Sequence, residues 1–313
     1  LSFLQNAKDL LLIKRKNIMW FKQLTAYRLP EKPEQRHLDE SLSNAQFTPP
    51  AGLDWFSEGF AIPTPFDNFF VFNAKGHYLI SLKREEKVLP AGVINNVLAE
   101  KIEKIQKAEA RNVGRREKRE LKEQITDDLL PRALTRSSRT HAILTDGWLL
   151  VDSATPSKAE NLLTKLREAL GGLEVKLPAT KQSPASLMTE WLLNGQAQGG
   201  FELDCDVTLR GVGDVAPRVT ISKKDLTADD VVQHSRNGLY VVELGLIWRE
   251  EIAFLLTENL TLKRIQYLDV VQENADSQAD NAADLTVASQ IIMTESLTAM
   301  LNELVEHLGG WQD

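Results

Sequence analysis

The sequence predicts an α+β fold built on antiparallel sheets, with one long helical projection. Three observations carry that prediction. Short β-rich runs flank two-residue turn signals such as Asp146-Gly147, which join neighbouring strands as hairpins. Between Pro90 and Pro131 the apolar residues follow the 3–4 spacing of a helix instead. The chain then closes on a run of three strand-like segments and an amphipathic helix, a sequence of elements typical of α+β domains.

Taken in order, residues 20–27 alternate weakly and read as a first strand. Residues 30–65 are rich in Pro, Gly and aromatics and read as irregular, with a helix near 37–44. Segments 69–73 and 78–83 are strand candidates about a Lys75-Gly76 turn. Pro90 opens a helical stretch whose face is Ile94, Val97, Leu98, Ile102 and Ile105; Gly114 bends it and Pro131 stops it. Segments 141–144 and 148–152 form the Asp146-Gly147 hairpin. Thr155 is placed to cap the next helix, Pro156 suits its first turn, and Gly171 can take the left-handed conformation that ends it. A strand at 173–177 and a linker at 178–184 follow.

In the second half, 186–193 reads as a short helix. Thr227 is placed to cap another, which Gly238 ends. Segments 239–248, 252–257 and 260–267 form a meander, 272–284 reads as a mobile acidic loop, and 288–308 is the last helix, stopped by Gly309-Gly310. The expected organisation is an α+β domain made of 19–90 with 132–178, a helical projection at 91–131, and a second α+β domain at 184–313. Residues 1–18 read as a poorly ordered leader or upstream extension. Their apolar run precedes Lys14-Arg15-Lys16, the reverse of a signal peptide, and Met19-Trp20-Phe21 resembles a natural start.

Composition narrows the functional class. No uninterrupted apolar run approaches the ~20 residues that span a bilayer. Cys205 is the only cysteine, so no internal disulfide forms, which fits a reducing cytoplasm. The net charge of -7 disfavours a polyanionic partner, but the charge is polarised. Residues 101–139 hold twelve Lys/Arg against seven Asp/Glu, whereas 269–313 hold nine Asp/Glu and no Lys/Arg.

Signals for catalysis are weak. There is no P-loop or dinucleotide fingerprint, no H-x-x-x-H pair and no zinc-cysteine set, so neither cofactor nor metal is implied and an enzyme is not expected. His141 as a general base and Glu85-Glu86 as metal ligands are each less expected than a plain structural histidine and a solvated charged turn. The basic residues say more. Lys104, Lys107, Arg111, Arg115, Lys118 and Lys122 are spaced to draw one stripe on a helix, ~27 Å long at ~1.5 Å per residue. Duplex DNA presents one charge per ~1.7 Å of axis, so such a stripe would meet several phosphates. Interleaved i,i+4 pairs such as Glu103–Lys107 and Arg116–Glu120 fit an ordinary solvated face equally well. Arg132, Arg136 and Arg139 form a second basic set and Lys223-Lys224 a third, just before a helix N-terminus. No aromatics interleave with these residues. Any contact is therefore expected with backbone phosphates and not with stacked bases.

Several segments together resemble one family. They are MWFKQL at 19–24, KREEKVLPAGVI at 83–94, LKEQITDDLLPRA at 121–133, SKAENLLTKLREALGGL at 157–173, KKDLTADDVVQH at 223–234 and LKRIQYLD at 262–269. In this order they resemble the RdgC family of recombination-associated proteins. The resemblance implies an elongated, curved, multi-domain monomer that closes into a ring-shaped homodimer around a basic hole. It also implies a cytoplasmic, nucleoid-associated protein that binds double-stranded DNA without marked sequence preference and limits access of the RecA recombinase. Pro131-Arg132-Ala133 matches a motif on a finger-like projection where an aromatic often follows. Leu134 takes that position here, so an aromatic role does not carry over. Arg132 and Lys223 carry over as DNA-contact or ring-closure positions. The competing expectation is a protein-interaction module whose acidic C-terminal region occupies a basic partner without touching DNA.

Overall fold

The structure, a computed structural model, describes residues 19–213 and 215–312. The expectation of a disordered leader at 1–18 lies outside the described residues. The described residues are α+β and are organised on an antiparallel sheet of eleven strands. Five belong to the first half: β1 (Leu24–Leu29), β2 (Phe56–Ala61), β4 (His77–Val88), β5 (Leu134–Thr145) and β6 (Gly147–Val151). Five belong to the second: β7 (Phe201–Arg210), β8 (Arg218–Ile221), β9 (Tyr240–Trp248), β10 (Ile252–Thr257) and β11 (Thr261–Tyr267). The order is β2-β4-β5-β6-β1-β11-β10-β9-β7-β8, with the short β3 (Phe72–Ala74) paired on β4. The halves meet where β1 pairs with β11, at Leu24 opposite Leu262 and Thr25 opposite Thr261.

Side chains alternate across a strand, so the sheet has two faces. On one, Phe60, Leu82, Ala142, Leu144 and Leu149 pack beneath helices α1 (Gln35–Asn44) and α4 (Pro156–Leu170), which supply Leu38, Leu42, Leu162 and Leu166. On the other, a larger core runs across both halves. It takes Trp191 from α5 (Pro184–Asn194), Val231 from α6 (Asp229–Arg236), Val271 from α7 (Asp269–Ser277) and Met293, Leu297 and Leu304 from α8 (Ala282–His307). Helix α8 straddles the seam. The Gln290 amide donates to the His77 carbonyl at 2.9 Å, and the Trp148 indole donates to Asn302 Oδ1 at 2.9 Å.

Four local expectations are corrected. The first strand starts four residues late, because Phe21 is fully buried and Trp20 packs on the Tyr267 ring at 4.6 Å instead of joining the sheet. Segment 173–177 is no strand. It makes a single bridge, Lys176 to Arg28, and leaves Leu177 exposed. Thr227 does not cap α6. Its N–H and hydroxyl both donate to Asp225 Oδ1, at 2.9 and 2.7 Å, and that turn leaves Ala228 as the N-cap. Segment 272–284 is not a loop but most of α7 and the start of α8. Val271 and Ala275 are buried one helical turn apart, and Asn281 Oδ1 caps α8 by accepting the Ala283 and Asp284 N–H groups. Segment 178–184 is pinned to the chain's last residues through Lys181 N–H to Gly310 O at 3.0 Å and Gln312 N–H to Ala179 O at 2.9 Å.

Strands β2, β7 and β8 were not read from the sequence. Strand β2 owes its place to Gly59. A Cβ there would stand 2.5 Å from Phe47 Cα, where the chain crosses to bond Phe47 N–H to Phe60 O at 2.7 Å. Gly59→Ala is expected to cost about 1–3 kcal/mol through this overpacking, read from the urea midpoint. An unchanged midpoint would show that segment 45–47 moves aside freely.

Candidate nucleic-acid interface

Strands β4 and β5 stay paired as far as Val88 opposite Leu134, and a helical pair is inserted between them. Helix α2 (Ala91–Glu109) runs out and α3 (Arg115–Leu129) returns, followed by a 3-10 turn at Leu130–Arg132. The turn between them begins at Ala110, which is left-handed at φ 51, and buries Val113. Ile94, Leu121 and Ile125 are buried in the projection.

This geometry corrects the straight stripe. Lys104 and Lys107 lie on α2, Arg111 in the turn, and Arg115, Lys118 and Lys122 on α3. A periodicity that continues across positions 110–114 survives a reversal of chain direction in sequence but not in space. Of the four expected i,i+4 pairs, Glu103–Lys107 and Arg116–Glu120 form, at 2.5 and 2.9 Å, whereas Glu100–Lys104 and Arg119–Glu123 do not, and Lys104 takes no partner.

The basic candidates divide by what already holds them. Arg111 donates to Glu109 and, through both terminal nitrogens, to Glu117 at 2.7 Å. Those bonds raise the Arg111 pKa and hold the Glu117 carboxyl below its ordinary range. Lys107 is held by Glu103, Arg136 by Glu86 and Lys224 by Asp230. Arg139 donates to the Ile62 carbonyl at 2.8 Å. Lys104, Arg115, Lys118, Lys122, Arg132 and Lys223 are exposed and make no side-chain hydrogen bond or ion pair. Five of these six free cations belong to the projection and the turn at its base.

The second and third basic sets do not form compact patches. Arg136 and Arg139 are three apart on β5, so they stand on opposite faces of the ribbon. Arg136 shares its face with Arg84, Glu86 and Leu134, and Arg139 shares the other with Lys83 and His141. Lys223 is left-handed, at φ 55, with its N–H on Asp206 Oδ1 at 3.1 Å. Helix α6 begins only at Asp229, and its first turn already carries Asp229 and Asp230, so its N-terminus is served by its own carboxylates.

Sequence reading missed an apolar strip beside Arg136. Phe56, Val88 and Leu134 are 48%, 46% and 82% exposed, and the Arg84 guanidinium lies 3.9 Å from the Phe56 ring centre. Only the β2–β4–β5 pairing brings these residues together, so no local signal announced them. Glu85 and Glu86 sit within β4, not in a turn, and point to opposite faces. Among the described residues no group of three or more His, Cys, Asp or Glu is placed to hold a metal. His141 faces Ser81 across β4 and β5, but the Ser81 hydroxyl is buried with no hydrogen-bond partner, so no nucleophile–base pair exists there. Burial, with Arg139 nearby, lowers the His141 pKa to about 4.

Comparison with known proteins gives one answer over nearly the whole chain. A family model described as "Putative exonuclease, RdgC" matches residues 19–311. The chain is 62% identical over 299 residues to the recombination-associated protein RdgC of Neisseria meningitidis serogroup C (strain 053442), covering 94% of this chain and 100% of that protein. It is 48% identical over 297 residues to the protein of that name from Laribacter hongkongensis (strain HLHK9), covering 93% and 99%. It is 36% identical over 296 residues to that of Janthinobacterium sp. (strain Marseille), covering 93% and 98%.

Proposed function

The chain belongs to the RdgC family, and on that premise we propose that it binds double-stranded DNA through backbone phosphates, closes around it as a homodimeric ring, and limits RecA access in the cytoplasmic nucleoid. The observation that carries the binding step is the set of free cations on the projection: Lys104, Arg115, Lys118, Lys122 and Arg132 are exposed and unpaired. Unpaired ammonium and guanidinium groups can meet phosphate oxygens without first breaking an internal bond. Aromatic rings are absent from this set, which favours backbone contact over base stacking. No described helix is long and apolar enough to cross a membrane.

Two measurements test the reading. With about 6–10 phosphates engaged, affinity for a labelled duplex should fall by ~10³–10⁵ between about 50 and 200 mM salt. Encirclement predicts retention on closed circular duplex and loss from the free ends of linear duplex under the same salt. A flat salt response overturns phosphate contact, and equal retention on both DNA forms overturns the ring. The exonuclease wording of the family description is a second reading. Incubation of end-labelled duplex with the protein and magnesium decides it, since a binding protein leaves the label attached.

A further inference from the structure

The face of the sheet that carries α1 and α4 in the first half has no packed core over β7–β11; none of those strands contributes to the smaller core. Where this open face meets the first turn of α4 it forms a cleft of about 270 Å³ lined by Arg210, Arg218, Lys263, Glu243, Glu258 and Pro156. Strand pairing assembles it. Arg210 faces Arg218 across β7 and β8, and Glu243 links β9 to Thr208 on β7 and Thr257 on β10.

The cleft carries an excess of hydrogen-bond donors. Arg210 spends two, on the Tyr240 hydroxyl at 2.8 Å and Glu258 at 3.0 Å. Lys263 spends one, on Glu243 at 2.8 Å. Arg218 is 61% exposed, and its nearest carboxylate oxygen, on Glu243, is 3.7 Å away, beyond hydrogen-bond reach. A guanidinium offers about five N–H donors and an ammonium about three, so most of the donors in the cleft are unused. The Thr155 side chain makes no cap bond to α4, so the positive end of that helix adds to the same side of the balance. Three cations against two carboxylates leave the cleft net positive. Thr208, at 3.3 Å, and Lys263 hold the Glu243 carboxylate in place beside the space and out of its centre.

We propose that this cleft binds a phosphate group, with Arg218 and Lys263 as its main donors, Arg210 as a second guanidinium, and Glu243 as the residue that holds Lys263 in position and limits affinity. This rests on the duplex reading for its source: the phosphate of a DNA backbone that lies along the open face. Free inorganic phosphate shares the chemistry and is separated by experiment.

The test uses the full chain, the double variant Arg218→Gln/Lys263→Gln, and Glu243→Gln, each first checked for an unchanged urea midpoint. One arm follows the thermal midpoint with added inorganic phosphate at constant ionic strength, where binding to the native state raises it. The other follows the salt slope of binding to a labelled duplex. The proposal expects phosphate to stabilise the parent protein, to lose that effect in the double variant, and to gain it in Glu243→Gln. It further expects the duplex salt slope to fall by about 1–2 in the double variant, about one per lost phosphate contact. If phosphate shifts all three proteins alike, the effect is a general salt effect and the cleft is no site. If the parent binds duplex but neither arm responds to the variants, this inference fails and the duplex reading stands. If the parent binds no duplex yet loses phosphate stabilisation in the double variant, the cleft takes free phosphate and the duplex reading fails.

Discussion

Replacing Lys104, Arg115, Lys118, Lys122 and Arg132 together by Gln is expected to lower the slope of log K against log salt for duplex binding by about 4.5, at ~0.9 per phosphate contact. Anisotropy titrations of one labelled duplex at several salt concentrations measure it. A matched variant, with Lys107, Arg136 and Lys224 replaced, removes three charges that Glu103, Glu86 and Asp230 already hold. Its slope should change far less, because the paired carboxylate already offsets each of those charges and repels an approaching phosphate. Equal losses per charge removed in the two variants would mean that binding reads overall charge, and no loss in either would remove the projection from the interface. The loss in the first variant should be uniform across duplex sequences, since no base-reading element is involved.

Asp152 and His141 are expected to act on stability in opposite directions as pH changes. Burial raises the Asp152 pKa from 3.8 to about 6, partly offset by the Gln23 N–H that it accepts at 3.4 Å. Its folded-state pKa lies above the unfolded value, so the associated stability is present below pH 3.8 and is lost as pH rises through about 6. For His141 the folded value lies below the unfolded one. Its contribution is complete above pH 6.5 and is lost as pH falls towards about 4. Differences of this size are each worth about 3 kcal/mol at ~1.4 kcal/mol per pKa unit. The two nearly cancel between pH 4 and 6 in the parent protein. Asp152→Asn should therefore raise stability at pH 7 by up to about 3 kcal/mol and expose a steep rise of stability with pH, followed by urea unfolding at stepped pH. A variant profile parallel to the parent's would show that Asp152 is hydrated in the folded chain.

The legible parts of the fold were those whose signals are local. Helix α4 is framed by Thr155, Pro156 and Gly171; Thr155 stands at the N-cap position but its side chain makes no cap bond, contrary to expectation, while Gly171 is left-handed at φ 71. The Lys75-Gly76 turn has positive φ at both positions, 54 and 85, as a tight hairpin requires. Strands β9 to β11 carry dense apolar runs and were read within two residues. Strands β7 and β8 were illegible because β7 is bulged at 203–207, which breaks its alternation, and β8 has only four residues. Helix α7 was hidden by its polar composition; only two of its residues, Val271 and Ala275, are buried. At the candidate interface the basic residues themselves were found, but their condition was not. Whether Lys104 is free and Lys107 is held depends on rotamers and neighbours, and Arg210, Arg218 and Lys263 meet only through strand pairing.

The place of β1 in the middle of the sheet has a consequence for biosynthesis. Its partner β6 lies roughly 120 residues downstream and its other partner, β11, roughly twice as far, so the central seam is among the most non-local contacts in the chain. As the chain emerges, the first half can pair β1 with β6 and bridge Arg28 to Lys176, while the opposite edge at Leu24 and Thr25 stays open until β11 has been made. An open edge of Leu, Thr and Ala is a template for pairing with another nascent chain. The last strand of the meander therefore completes the sheet of the second half and, in the same step, shields the first from association with its neighbours.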